Sequence, residues 1–248
     1  MCRRGAGAGP TKLEARGGRR MIDFGTQRRN MVESQVRTSD ITDRRILRAM
    51  LETPREVFVP AAMRVRAYAD ADVELVPAGS GHAARALLAP RTFARLVQLA
   101  GIEESDAVLD VGTATGYSAA IIARLAATVV ALECDEGLAD EARNVLSRLS
   151  RSNVRLVTGD LSEGCAQESP YDAILVEGAI AQRPAGLLEQ LKHDGRLVAI
   201  LAPADADAGA LGKAVIWRRL GATFDETIAF DAAAPVLPGF EKALEFTF

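Results

Sequence analysis

The chain has 248 residues, 48% hydrophobic and 25% charged, the balance of a folded protein with core enough for one α/β domain. No apolar run approaches the ~18 residues of a membrane-spanning helix, and the first twenty residues lack the apolar stretch of a secretory signal. Net charge is −3; residues 1–20 hold six Lys/Arg against Glu14, a net +5, which leaves −8 for the rest. An acidic body argues against a broad nucleic-acid surface.

Cys2, Cys134 and Cys165 are odd in number and fit no zinc spacing, and His82 and His193 are too few for a multi-histidine site. The expectation is a cytoplasmic protein with no metal and no membrane partner. Oligomeric state is not readable.

Taken in chain order, residues 1–20 read as a disordered Gly/Arg-rich tail, or as translation upstream of Met21. Residues 21–70 read as helical, with Asp40 or Thr42 capping a helix through Ile46, Leu47, Met50 and Leu51 that Pro54 ends. A second short helix follows Pro60. Residues 71–85 read as a loop. Pro90 starts a helix that Gly101 stops.

From Asp106 the pattern alternates. Strands are expected over Ala107–Val111, Thr128–Glu133, Val154–Thr158, Tyr171–Val176 and Gly195–Leu201. Helices are expected over Tyr117–Ala126, Glu136–Leu149 and Pro184–Leu191. Apolar strands alternating with helices specify a mostly parallel sheet covered on both faces. Lys213–Arg219 and Thr223–Phe230 have no room for a crossover helix around Gly221, so they pair antiparallel. Trp217 on that hairpin reads as packing. The Ala/Pro-rich stretch 232–238 can cover either the active site or a neighbouring chain, and a last extended segment is expected over Glu245–Phe248. The expected organisation is a single domain over 21–248, with a helical extension and substrate loop (21–105) before an α/β core (106–248).

The informative segment runs from Val108 to Tyr117: strand, glycine turn, helix. Such a turn lies at the carboxyl edge of the sheet, where ligands bind. A dinucleotide site requires G-x-G-x-x-G, but from Gly112 the second and third positions are Ala114 and Tyr117. That argues against an NAD-dependent oxidoreductase. An acidic residue followed by G-x-G-x-G is the S-adenosylmethionine pattern; here it reads Asp110, Gly112, Ala114, Gly116, with Thr113 inside the turn. Glu133 ends the next strand, where a carboxylate accepts both ribose hydroxyls. Asp160 follows the third, placed for an adenine amino group with Leu161 against the ring.

At this point the chain resembles the protein-L-isoaspartate O-methyltransferases over roughly residues 28–205. The resemblance is carried by 29–37, 41–50 and Pro54–Pro60, by the loop 108–120, and by 170–179 and 190–198. It implies a Rossmann-like methyltransferase fold with an N-terminal helical extension. It also implies S-adenosylmethionine bound by Asp110, Gly112, Gly116, Glu133 and Asp160, and methyl transfer to the carboxylate of an isoaspartyl residue in a peptide or protein.

The chain departs from the family at the loop before Pro90. There the family carries Thr-Ile-Ser-Gln-Pro, and this chain reads Ala86-Leu-Leu-Ala-Pro90, with Leu88 in place of the serine. Glu177 stands where the family is usually small and neutral, and its charge would repel a carboxylate substrate. Arg85 is a candidate carboxylate partner, with Ser80, His82 and Thr92 as further polar candidates. Three readings stay open: the family's isoaspartyl reaction, methyl transfer to another acceptor with Glu177 as base, and a non-catalytic S-adenosylmethionine-binding protein.

Overall fold

The computed structural model describes residues 22–79, 84–203 and 210–241. A seven-stranded sheet forms its centre. β3 (Ala107–Val111), β4 (Thr128–Glu133), β5 (Val154–Thr158), β6 (Tyr171–Ile180) and β7 (Leu191–Leu201) are parallel, and β8 (Gly212–Leu220) and β9 (Thr223–Ala232) complete it antiparallel. The order is β5-β4-β3-β6-β7-β8-β9. The order therefore reverses between β3 and β6, which opens a crevice at their carboxyl ends.

Because the central strands β3, β4, β6 and β7 are buried on two faces, side-chain alternation sends residues into two cores. Val108, Ala173, Leu175 and Val198 pack in the core covered by α1 (Phe24–Met31), α2 (Arg44–Glu52), α3 (Pro90–Ala100), α4 (Tyr117–Ile122) and α5 (Glu136–Arg148). Leu109, Val111, Ile174, Val176 and Trp217 pack under α6 (Ala185–Leu188) and a C-terminal segment carrying Leu237 and Phe240. Trp217 is fully buried, and its indole N–H donates to Glu226 at 2.7 Å, as packing requires.

The helix ends follow local chemistry. Asp43, rather than Asp40 or Thr42, caps α2 by accepting from the Arg45 N–H at 2.8 Å. α3 has Pro90 in its first turn and Gly101 in the left-handed region at its end. α4 is shorter than its sequence suggests, ending at Ile122 rather than Ala126, and α6 spans four residues. The loop expected over 71–85 is corrected: β1 (Val73–Val76) pairs antiparallel with β2 (Arg85–Leu87). Val73 and Leu87 pair across this ribbon and point into the core, a pattern too short to register as periodicity. Residues 1–20, Ser80, His82 and Glu245–Phe248 lie outside the described residues.

The N-terminal extension supports the glycine turn from below. The Phe58 ring meets Tyr117 edge-on at 5.5 Å between centroids, and the Thr115 hydroxyl donates to the Phe58 carbonyl at 2.6 Å. Arg55 is buried, donates to the carbonyls of Ala67 and Leu88 at 2.8 Å each, and lies 4.6 Å over the Tyr117 ring.

Candidate active site

The turn after β3 has three residues with positive φ: Gly112 (79°), Ala114 (51°) and Gly116 (90°). Two are glycines, for which this region carries no Cβ penalty. The turn is fixed by Gly112 N–H to the Leu132 carbonyl at 2.9 Å and Gly116 N–H to the Thr113 carbonyl at 2.8 Å. Thr113 is buried, with its hydroxyl 3.3 Å from that of Ser118.

Asp110 is fully buried at the end of β3. The Ser118 hydroxyl donates to its Oδ2 at 2.7 Å, and Oδ1 has no hydrogen-bond partner. Burial, with the Glu133 charge adding to it, pushes its pKa up to about 7 against the pull of Ser118.

Glu133 ends β4 and is fully buried. Its Oε1 accepts from the N–H groups of Cys134 (2.9 Å) and Asp135 (3.0 Å), and its Oε2 accepts from Ala114 N–H (2.8 Å). Both oxygens also accept from Arg85: Nη1 donates to Oε1, and Nη2 to Oε2 at 2.7 Å. Arg85 Nη2 reaches the Gly112 carbonyl at 3.2 Å as well. Burial works against the Arg85 cation, and the Glu133 carboxylate more than offsets it, holding Arg85 above its ordinary pKa. Arg85 is thus neither a solvated loop residue nor free for a substrate carboxylate; its guanidinium is committed to Glu133.

Asp160 follows β5. Its Oδ1 accepts from the Ser162 N–H (2.8 Å) and hydroxyl (2.7 Å), which hold its pKa below the ordinary value. Leu161 is buried in the same core as Leu237 and Phe240. β3, β4 and β5 pair in register, so Asp110, Glu133 and Asp160 line one edge of the sheet.

Glu177 lies one residue beyond the Val111–Val176 pair of β3 and β6, on the same face as Asp110. It is 8% exposed, and its Oε1 has no partner. Burial first, then the Asp110 carboxyl, raises its pKa well above the ordinary value, with Arg55 pulling the other way. Burial therefore works against the charge expected there to repel a carboxylate. Glu177, Leu88, Arg55, Gly112, Tyr117 and Ser118 surround a cavity of only about 10 Å³. Leu88 is buried there, and Thr92 is half-buried on α3. A roomier depression of about 310 Å³, by Thr128, Asn153 and Tyr171, lies at the opposite, amino edge, away from these groups.

The segment after β9 closes the edge. β9 runs in the same sense as β7, so Ala232 ends at the carboxyl edge and the chain turns back across it. Ala179 N–H donates to the Pro235 carbonyl (2.8 Å), Leu237 N–H to the Ala179 carbonyl (2.9 Å), and Ala181 N–H to the Phe240 carbonyl (3.0 Å). A Cβ on Gly112 would lie 2.9 Å from Leu237 Cδ1, and one on Gly178 would lie 2.6 Å from Leu237 Cγ. Leu237 fills the space beside both glycines. The stretch 232–238, open from sequence to covering either the active site or a neighbouring chain, lies against this edge of the sheet. Leu237 and Ser118 were not legible as site residues: a lone leucine in a Pro/Gly-rich stretch carries no periodicity, and a hydroxyl on an apolar helix reads as packing.

The strand-end residues fit S-adenosylmethionine in kind and position, with an acceptor carboxylate on rigid main-chain donors beside an open-backbone turn. The space along Gly112, in this conformation, is taken by Arg85 and Leu237.

Among the described residues, no helix is long and apolar enough to cross a membrane, and no group of three His, Cys, Asp or Glu is placed to hold a metal. A family model described as Protein-L-isoaspartate(D-aspartate) O-methyltransferase matches residues 26–208. A protein-L-isoaspartate O-methyltransferase of Koribacter versatilis is 41% identical over 72% of this chain and 78% of its own length. One from Roseiflexus castenholzii is 40% identical over 71% and 78%. Among solved structures, a protein-L-isoaspartate O-methyltransferase superposes with TM-score 0.74 at 24% identity, covering 86% of this chain and 66% of that one. A Plasmodium falciparum protein of the same described activity, solved with S-adenosyl-L-homocysteine, gives 0.67 at 19% identity over 85% and 97%. These likenesses confirm the Rossmann-like methyltransferase fold. The chain belongs to the protein-L-isoaspartate O-methyltransferase family, and its activity is that of an S-adenosylmethionine-dependent methyltransferase.

Proposed function

We propose that this chain methylates the side-chain carboxylate of L-isoaspartyl residues in peptides or proteins. The observation that carries the reading is the alignment of Asp110, Glu133 and Asp160 at the ends of β3, β4 and β5, beside the point where strand order reverses. When bound, S-adenosylmethionine supplies an electrophilic methyl group. The chain's own residues supply the seat. Glu133 accepts the ribose hydroxyls, Asp160 the adenine amino group beside Leu161, and Gly112, Thr113, Ala114 and Gly116 bring main chain close. Asp110, held by Ser118, braces the turn.

The acceptor carboxylate is ionised at neutral pH, its ordinary pKa being about 4, so no strong base is required. What the site contributes is alignment and removal of water. Leu88, Phe93 and Tyr117 form the dry wall of the small cavity. Glu177 in that wall, whose proton burial holds more tightly than in an ordinary carboxyl, can donate an O–H to a carboxylate, which offsets the absence of a hydroxyl at Leu88.

The test is methyl transfer from labelled S-adenosylmethionine to an isoaspartyl peptide, with the aspartyl peptide of the same sequence as control. Selective transfer to the isoaspartyl peptide is expected. Equal labelling of both, or of neither by a protein that binds the cofactor, rejects the substrate assignment. Leu88→Ser run alongside should raise transfer, by about tenfold if one hydrogen bond to the acceptor contributes ~1.4 kcal/mol.

A further inference from the structure

Two side chains of this protein stand in the groove that the cofactor assignment requires to be open. Both are buried rather than draped over a surface: Arg85 is 4% exposed and Leu237 2%. Their chemistry matches the positions they take. The Arg85 guanidinium sends one N–H to each Glu133 oxygen, the same paired donation that a ribose diol makes to a carboxylate. With the N–H groups of Ala114, Cys134 and Asp135, Glu133 accepts five N–H hydrogen bonds. A carboxylate offers about four lone-pair directions, so it has no capacity for two further hydroxyls while Arg85 stays.

Leu237 excludes a ligand in a second way. Gly112 and Gly178 leave a bare main-chain face on two neighbouring strand ends, and the Leu237 side chain fills it. Two residues on, a Cβ at Gly239 would lie 3.0 Å from Asp160 Oδ1, so the same segment lies over the third strand-end group. The cavity left beside the turn, about 10 Å³, is far below the roughly 300 Å³ that a small-molecule ligand needs.

We propose that Arg85 and Leu237 are built-in occupants of the cofactor groove, and that S-adenosylmethionine enters only as Arg85 releases Glu133 and the 233–240 segment lifts off β6. The proposal rests on the cofactor assignment above. It makes Arg85 and Leu237 determinants of cofactor affinity: the apparent affinity is the intrinsic one reduced by the fraction of molecules in which the groove is open. The two parts act together, because Arg85 Nη2 lies 3.5 Å from the same Gly112 Cβ position that Leu237 crowds.

The experiment measures S-adenosyl-L-homocysteine binding by calorimetry to the full-length wild type, to Leu237→Ala and to Arg85→Gln. Amide hydrogen exchange is followed with and without ligand. Each substitution is expected to tighten binding at least tenfold. The Ala179, Ala181 and Leu237 amides, protected by the segment in the free protein, are expected to exchange faster when the wild type is saturated. Saturable wild-type binding with these amides equally or better protected overturns the proposal, as does wild-type binding that neither substitution tightens. If neither the wild type nor either variant takes up ligand at millimolar concentration, the cofactor assignment itself fails and the proposal with it. The presence or absence of a wild-type binding curve separates the two failures. Should Arg85→Gln fail to fold, Leu237→Ala with the exchange measurement decides.

Discussion

At the end of β4, Glu133 has a partner on every side: three main-chain N–H groups and the Arg85 guanidinium. One and two strands away, at the ends of β3 and β6, Asp110 and Glu177 each keep one buried oxygen with no partner, and Tyr117 Oη has none. Both regions lie on one sheet edge, and all three carboxyls are buried. A buried carboxylate that is ionised must be matched by a cation and donors; one that is not matched retreats to its neutral form. The β4 end has taken the first course, through a residue from β2. The β3–β6 end lacks that match, and burial raises the pKa of both Asp110 and Glu177. The first region is complete without a ligand, and the second is left wanting donors.

The largest effect is expected from removing the match. Arg85→Ala leaves a buried anion with its cation deleted and only three main-chain N–H donors, a change that costs about 3–5 kcal/mol in comparable pairs. For a chain of this size that is a fall of roughly 10 °C in melting temperature, read by calorimetric scanning. If the pair were merely a surface contact the shift would be within a degree or two. S-adenosyl-L-homocysteine should restore part of the loss, because its ribose hydroxyls re-supply donors to Glu133.

The opposite region should respond to pH instead. A carboxyl whose folded pKa is raised keeps its proton in the native state while the unfolded chain releases it. Stability is therefore greatest below the ordinary carboxylate value and is lost as pH rises toward the folded value. For Asp110 that window runs from its ordinary 3.8 to about 7; for Glu177 it starts at 4.5 and extends well above. Glu177→Gln removes one of the two acids without changing shape. Its melting temperature relative to wild type should rise with pH between 5 and 8. A difference curve flat in pH, or a gain at pH 5 that vanishes at pH 8, would refute the raised pKa of Glu177.

A smaller effect separates the segment from the site beneath it. Gly178→Ala places a methyl 2.6 Å from Leu237 Cγ, an overpacking that costs about 1–3 kcal/mol. Because the leucine sits on a returning segment rather than inside a sheet, the strain should be relieved by movement of that segment. Faster exchange at Leu237 with unchanged exchange in β3 and β4 is the expected pattern; a uniform loss of protection would show that the segment and the sheet open as one.

Much of this was legible in the sequence because it depends on local pattern. The strands 107–111, 128–133 and 154–158, and the groups ending them, follow from apolar runs broken by Gly112, Cys134 and Gly159. The family resemblance marked the N-terminal segments as the family's helical extension, and the structure shows what they do: Phe58 and Arg55 support the glycine turn. What was not legible depends on contacts far apart in sequence. Arg85 meets Glu133 across 48 positions, and Leu237 meets Gly112 across more than a hundred. No spacing rule reaches that far, so Arg85 read as a solvated or substrate-facing arginine and Leu237 as part of a loop. The β1–β2 ribbon failed for the opposite reason, having too few residues to show a period.

The smallest expected effect tests whether the one departure in the glycine turn is strained. Ala114 stands where the cofactor pattern has its middle glycine, with φ 51°. An L-residue in that region costs roughly 1–2 kcal/mol, so Ala114→Gly should relieve strain. Two terms oppose the gain. The glycine chain has more freedom to lose on folding, about 0.4–1 kcal/mol. The Ala114 methyl, 2% exposed within the helical-side core, also gives up about 0.8 kcal/mol of burial. The sum is close to zero, and the melting temperature should move by no more than about 2 °C. A rise well beyond that would mean the methyl contributes little packing and the turn carries its strain uncompensated. A comparable fall would mean that the methyl, by filling the core under the turn, is what holds the Ala114 N–H on Glu133.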